Sequence, residues 1–265
     1  MLGVIYEMKE HKKINGTLFY CFEYFIFLNQ YKDTTLYLTN IDEEYLLHLK
    51  ELFTQRYNFD TELLNKITLL NGIREMYDVK LEKALYLDVK TFMTIGMFFK
   101  CDTIIYSNEW IDKPTSKVKD IKLFGYYDYQ NFDVKEKLKF HFGIYAPIPK
   151  TDTKTAFVSG LNADENVVIN NLNITEKNYI FKPIDRAIDD LFMKFDVLYY
   201  YHSAFDKNNR LIPECFFYNK EVKITYTDLP KDSIYYRYND IKENGIGAYT
   251  LDENDLLIKE MLWQK

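Results

Sequence analysis

Short apolar runs, separated by stretches long enough for one helix, constrain this chain more than any other feature. Residues 4–7 and 35–39 (TLYLT) are strand-like, and Thr17 to Tyr31 between them has the length and apolar character of a buried helix. Parallel strands need a crossover of a dozen or more residues, and this spacing supplies it. The rhythm continues. Asp42 to Arg56 has amphipathic spacing, with capping residues at Asn40 and Asp42, and KALYLD (83–88) and CDTIIYSN (101–108) are strand-like around VKTFMTIGMFF. An α/β fold with parallel sheets follows.

The pattern changes around KLFGYYDYQNFDVKEKLKFHFGIYAPIPK to aromatic, strand-like segments that end in two prolines and a polar TDTKT stretch. A border is expected near residue 145, giving domains 1–145 and 146–265. Beyond it TAFVSG, NYIFKP, DVLYYYH and EVKITY read as strands, and ADENVVINNLNI, AIDDLFMKF and IPECFFYN as helices. LDENDLLIKEML closes the chain as a short amphipathic helix with Asp252 as its expected cap. The expected architecture is two Rossmann-like domains facing a cleft, with ligands beyond the carboxyl ends of the strands.

Composition narrows the function classes. The 265 residues are 47% hydrophobic and include only 9 Gly and 6 Pro, so an ordered chain with a large core is expected. A formal net charge of -6 removes the simplest electrostatic case for non-specific nucleic-acid binding. Cys21, Cys101 and Cys215 are odd in number and far apart, which fits reduced thiols in a cytoplasmic setting. The longest apolar patch, Leu18 to Leu28, contains Glu23 and is too short to span a membrane, and the N-terminus lacks the order of a signal peptide. His11, His48 and His141 have no partners at metal-ligand spacing, so no metal is expected. A phosphate-binding lysine loop, a nucleophile elbow and a calcium loop are all absent from the sequence.

The most informative stretch is Phe195 to Val222, FDVLYYYHSAFDKNNRLIPECFFYNKEV. An aspartate-led strand at Asp196 is followed by Asp206, six residues and the pair Pro213–Glu214, so that seven residues separate the two carboxylates, then a helix, and a turn through Asn219 and Lys220 to Val222. This order resembles the donor-binding segment of nucleotide-sugar glycosyltransferases of the GT-B fold, and the similarity covers roughly residues 155–225. The resemblance implies that Glu214 accepts the ribose hydroxyls of the donor nucleotide, with Asp206 to Arg210 facing the sugar and diphosphate. Lys207 and Arg210 would add positive charge there, with Asn208 and Asn209 in the same loop. Phe181, Lys182 and Pro183, after the preceding strand, fall where the donor base lies.

The departures from the family pattern are specific. Asp206 replaces a glutamate, and Asn208, Asn209 and Asn219 stand where glycine is frequent. VSGLNADENV (158–167) has no Arg or Lys, leaving Ser159 as a polar donor-side group and Lys182, Arg186 and Arg210 to neutralise the diphosphate. His202, at a strand end, is placed to orient a phosphate or the acceptor hydroxyl, and Asp206 and His202 form the candidate catalytic set. In the first half, Asn15, Gly16 and Thr17 correspond to a loop bordering acceptor or diphosphate; a plain helix cap at Thr17 is the alternative. Asp88, Glu109 and Asp128 remain open as a general base. The simpler reading makes Asp206, Asn208 and Asn209 turn formers and Pro213–Glu214 an ordinary helix start.

The expected function is transfer of a sugar from a nucleotide diphosphate sugar, used as co-substrate without a further cofactor, to an acceptor hydroxyl. A surface glycan fits the acidic charge better than a modified base in phage DNA. A non-catalytic nucleotide-sugar-binding scaffold or sensor is the alternative, and an unrelated two-domain hydrolase ranks last.

Overall fold

The computed structural model describes residues 1–8, 14–106, 121–124, 127–128, 133–134, 138–148, 155–160, 165–172, 174–176, 178–181, 191–202, 209–226 and 241–263. The chain forms two compact units, one of Met1–Tyr145 with Tyr249–Lys265, the other of Ala146–Ala248. Residues 249–265, expected with the second domain, therefore belong to the first unit. Their apolar side chains explain this: Leu257, Ile258 and Met261 are fully buried, and Leu251 N–H donates to the Phe140 carbonyl at 2.7 Å.

In the first unit six parallel strands lie in one sheet: β1 (Leu2–Glu7), β2 (Thr34–Thr39), β3 (Ile67–Leu70), β4 (Lys83–Tyr86), β5 (Asp102–Tyr106) and β6 (Ile121–Phe124). Their spatial order is 3-2-1-4-5-6, so the direction of winding reverses between β1 and β4. Helix α1 (Gly16–Asn29) joins β1 to β2 and is buried all round from Leu18 to Leu28, as expected of a helix with no polar face. Asn15, one residue before Gly16, caps it by accepting from Leu18 N–H at 3.2 Å, so Thr17 is not the cap. Helix α2 (Glu43–Arg56) buries Tyr45, Leu46, Leu49, Leu52 and Phe53 and is capped by Asp42; Asn40 instead takes a left-handed backbone (φ 63°). Phe22 of α1 stacks on Phe53 of α2 at 3.8 Å, and burying one such ring contributes about 1.5–3 kcal/mol.

Between Arg56 and Lys83 the sequence reading places no element, whereas the structure has a 3-10 helix (Thr61–Lys66), β3 and the six-residue helix α3 (Ile73–Asp78). Helix α4 (Val89–Ile95) follows β4 and packs with α3 over Ile5, Tyr37, Ala84 and Ile105. Among the described residues of the strand-like aromatic region beyond β6, the strands are the two-residue antiparallel pair β7 (Tyr127–Asp128) and β8 (Asp133–Val134), followed by a 3-10 turn at Phe142–Ile144.

The second unit holds a parallel sheet of β9 (Thr155–Gly160), β10 (Asn178–Phe181), β11 (Val197–His202) and β12 (Glu221–Tyr226) in the spatial order 10-9-11-12. Helix α5 (Glu165–Asn171) follows β9, and helix α6 (Leu211–Phe217) lies between β11 and β12. Winding reverses between β9 and β11. The helix expected over residues 187–195 is, where described, one short 3-10 turn at Leu191–Met193. No helix among the described residues is long and apolar enough to cross a membrane.

Candidate functional site

In open parallel sheets the helices flanking the reversal diverge, leaving a crevice at the carboxyl ends of the two central strands. In the second unit those ends are Ser159–Gly160 of β9 and Tyr200–His202 of β11, with Ser159 in register with Tyr200. Ser159 is fully buried. His202 is paired in the sheet opposite Tyr226. Phe181 ends β10 one strand away and packs against the cluster of Ala156, Val158, Val168, Leu172, Val197 and Tyr199, so its ring serves the core.

After β11 the chain is described again at Asn209, where a buried polar cluster starts α6. The Asn209 side chain is bifunctional: its Nδ2 donates to Tyr200 Oη at 2.8 Å, and its Oδ1 accepts from Ile212 N–H at 3.0 Å. This ties the start of α6 to the end of β11. Arg210 Nε donates to Glu214 Oε1 at 2.7 Å, one turn along the helix, with both side chains under a tenth exposed. A buried guanidinium–carboxylate pair of this geometry combines a charge-assisted hydrogen bond with mutual compensation of two desolvated charges. Burial, with the Glu214 charge adding, pushes the Cys215 thiol beside it well above its ordinary range, leaving it inert.

Other residues of the family-like segment sit elsewhere. Asp196 and Lys220 lie at the amino ends of β11 and β12, where Lys220 Nζ is 3.8 Å from Asp196 Oδ1 and Glu221 N–H donates to the Asp196 carbonyl. They fasten strand starts, away from the carboxyl edge. Asn219 has φ 56°, a left-handed turn residue; asparagine is among the few side chains that tolerate it, which accounts for its place where glycine is frequent. Asp206, Lys207, Asn208, Lys182, Pro183 and Arg186 lie outside the described residues, as do Glu109 and the side chains of Asp128 and His202.

No family model matches this chain, and no curated protein does.

The carboxyl edge of the first sheet gathers a second polar group at its reversal between β1 and β4. Asp88 caps α4, accepting from Lys90 N–H at 3.0 Å and from Thr91 Oγ1 at 3.2 Å, which engages it structurally. Glu7, ending β1, accepts from Thr94 Oγ1, while its own N–H reaches Thr91 Oγ1 at 3.4 Å. Glu7 is not singled out by the sequence. Its signal is positional: an acidic residue closing the central strand.

Two further polar clusters join residues that sequence reasoning does not bring together. In the first unit Glu23, fully buried, accepts from Tyr57 Oη at 2.8 Å and Tyr145 Oη at 2.6 Å through one oxygen, while His141 N–H approaches the other at 3.5 Å. Burial pushes the His141 pKa below 6.5 despite the pull of Glu23. In the second unit Lys223 Nζ donates to Tyr199 Oη at 2.8 Å and lies 3.4 Å from Glu176 Oε1; the Tyr199 bond, followed by Glu176, raises the lysine pKa. Among the described residues no group of three or more His, Cys, Asp or Glu is gathered as a metal ion requires. The three cysteines are unpaired, and burial raises the Cys101 thiol to about 11.

Proposed function

We propose that this chain is a glycosyltransferase of the GT-B type, built from two Rossmann-like units, that moves a sugar from a nucleotide diphosphate sugar to an acceptor hydroxyl. The observation that supports the reading is the position of the Arg210–Glu214 pair: it opens α6, the helix between β11 and β12, and β11 is one of the two strands between which the winding of the second sheet reverses. A carboxylate there suits the two hydroxyls of a donor ribose, since it accepts two hydrogen bonds. The first sheet, with the order 3-2-1-4-5-6, takes the acceptor role, and its reversal gathers Glu7, Asp88 and Asn15.

In the transfer the acceptor oxygen forms a bond to the anomeric carbon as the bond from that carbon to the donor diphosphate breaks. The electron pair leaves with the nucleoside diphosphate, and the acceptor proton passes to a carboxylate or to the departing phosphate. Positioning and stabilisation of the departing charge supply most of the rate enhancement in such a reaction.

A non-catalytic sensor of nucleotide sugars is the second reading, favoured by one feature: residues 158–167 contain no arginine or lysine to meet a diphosphate. Incubating the protein with UDP-, GDP- and ADP-sugars and assaying free nucleoside diphosphate separates the two. Release from one donor class, slow in water and faster with acceptor glycan, is expected of the transferase. Binding without release means a sensor.

A further inference from the structure

His141 lies on the last stretch of chain before the crossing out of the first unit, and its imidazole is buried. The ring stands nearly perpendicular to that of Phe27 in α1, with centroids 4.9 Å apart, and Nε2 has no hydrogen-bond partner among the described residues. Both nitrogens of an imidazolium are donors, so protonation leaves Nε2–H without an acceptor and brings a charge into an apolar setting. The groups that face this stretch come from three sides. From α1, Glu23 accepts from His141 N–H at 3.5 Å, and Tyr57 at the end of α2 and Tyr145 donate to the same carboxylate. From the C-terminal helix (Leu256–Leu262), its cap Asp255 lies 3.4 Å from Lys139. Burial outweighs the pull of Glu23 and holds the His141 pKa below 6.5.

The backbone around His141 is held by isolated bridges, Tyr57 with Tyr145 and Phe140 with Thr250. Phe140 N–H donates to the Tyr249 carbonyl at 2.5 Å, Leu251 N–H to the Phe140 carbonyl at 2.7 Å, and Asn58 N–H to the Ile144 carbonyl at 2.5 Å. Continuous ladders, by contrast, join β1 to β2 and to β4. Segments held by few bonds open at lower free energy than a packed sheet, so a charge placed here is relieved locally. We propose that His141 is an acid-sensitive latch within the first unit: protonation of its buried ring releases residues 138–145 and the bridged residues 249–251 while the six-stranded sheet stays closed. The chain leaves the first unit after Tyr145 and returns at Tyr249, so both crossings end in the latched residues. The sign follows from the ring: the closed segment takes up its proton at a lower pH than the open one, so acid favours opening. Asp255, whose pKa burial raises, titrates with the opposite sign, and it does so equally in wild type and in variants of His141.

The test is amide hydrogen exchange from about pH 7.5 to about pH 5, corrected for intrinsic rates, on wild type, His141→Asn and His141→Phe, with the His141 ring titration followed by NMR in wild type. Protection of the Phe140, Leu251 and Asn58 amides is expected to fall severalfold in wild type as the ring titrates, while the ladder amides of β1 and β2 stay protected. Both variants, which carry no titratable ring, are expected to lose that pH dependence. Three wild-type results overturn the latch without recourse to a variant: protection that is constant with pH, protection lost equally from β1 and β2, or a ring that titrates while the three amides stay protected. A pH dependence that persists in either folded variant also overturns it.

Discussion

Glu23 sits in the middle of a helix whose neighbours from Leu18 to Leu28 are all buried, and Tyr57, Tyr145 and the His141 backbone donate to its carboxylate there. Glu23→Ala leaves two tyrosine hydroxyls without their acceptor, and urea unfolding is expected to show a loss of about 2–5 kcal/mol. Tyr57→Phe removes one donor and costs about 1 kcal/mol. His141 adds a pH dependence whose sign is fixed. Its folded pKa is lowered below 6.5 by burial, so the unfolded chain binds the extra proton; its contribution is complete above that value and declines as pH falls through it. Denaturation midpoints measured from about pH 7.5 down to about pH 5 should fall less steeply in His141→Asn than in wild type. Glu23 itself was visible in the sequence as the one charge in an apolar helix. Its partners, at positions 57, 141 and 145, were not, because their approach depends on how α1, α2 and a distant segment pack.

At the scale of elements, strand and helix positions were largely legible wherever apolar periodicity ran for a full element. The β1–α1–β2 start, α2, β4, β5, β9, β11, α6 and β12 all fall where the pattern places them. The four-residue β3 and six-residue α3 were invisible because neither is long enough to show a period. Caps were legible only to within a few residues. The C-terminal helix Leu256–Leu262 is capped by Asp255, which accepts from Leu257 N–H at 2.9 Å and Ile258 N–H at 3.4 Å; Asp252 instead closes the preceding turn by accepting from Asn254 N–H. Asp252, Asn254 and Asp255 all suit a cap, and only the backbone path decides among them. Asp255 is also 3.4 Å from Lys139 and almost fully buried. Asp255→Ala is therefore expected to lower stability by about 1–2 kcal/mol, and Asp252→Ala by less than about 0.5 kcal/mol, in paired thermal melts.

At the scale of the molecule, the chain crosses from one unit to the other after Tyr145 and returns at Tyr249, and the ends of both crossings are joined within the first unit by Phe140 N–H donating to the Tyr249 carbonyl at 2.5 Å. The return was not legible, because the amphipathic pattern of residues 251–262 records that a face is buried and not against what. Arg210 and Glu214 were each singled out in the sequence, for the diphosphate and the ribose, whereas their pairing and burial were not legible. The central claim, that the reversal of the second sheet binds a nucleotide-sugar donor through Glu214, is tested most directly by thermal shift of the purified protein with UDP, GDP, ADP, CMP and their sugar conjugates. A ligand of the folded state at about a hundred times its Kd stabilises by about 2.7 kcal/mol, enough to raise Tm by several degrees. The account predicts stabilisation by one class of nucleoside diphosphate and its loss in Glu214→Gln, whose glutamine keeps the shape of the side chain. Stabilisation that persists undiminished in Glu214→Gln, or none with any nucleotide, contradicts it.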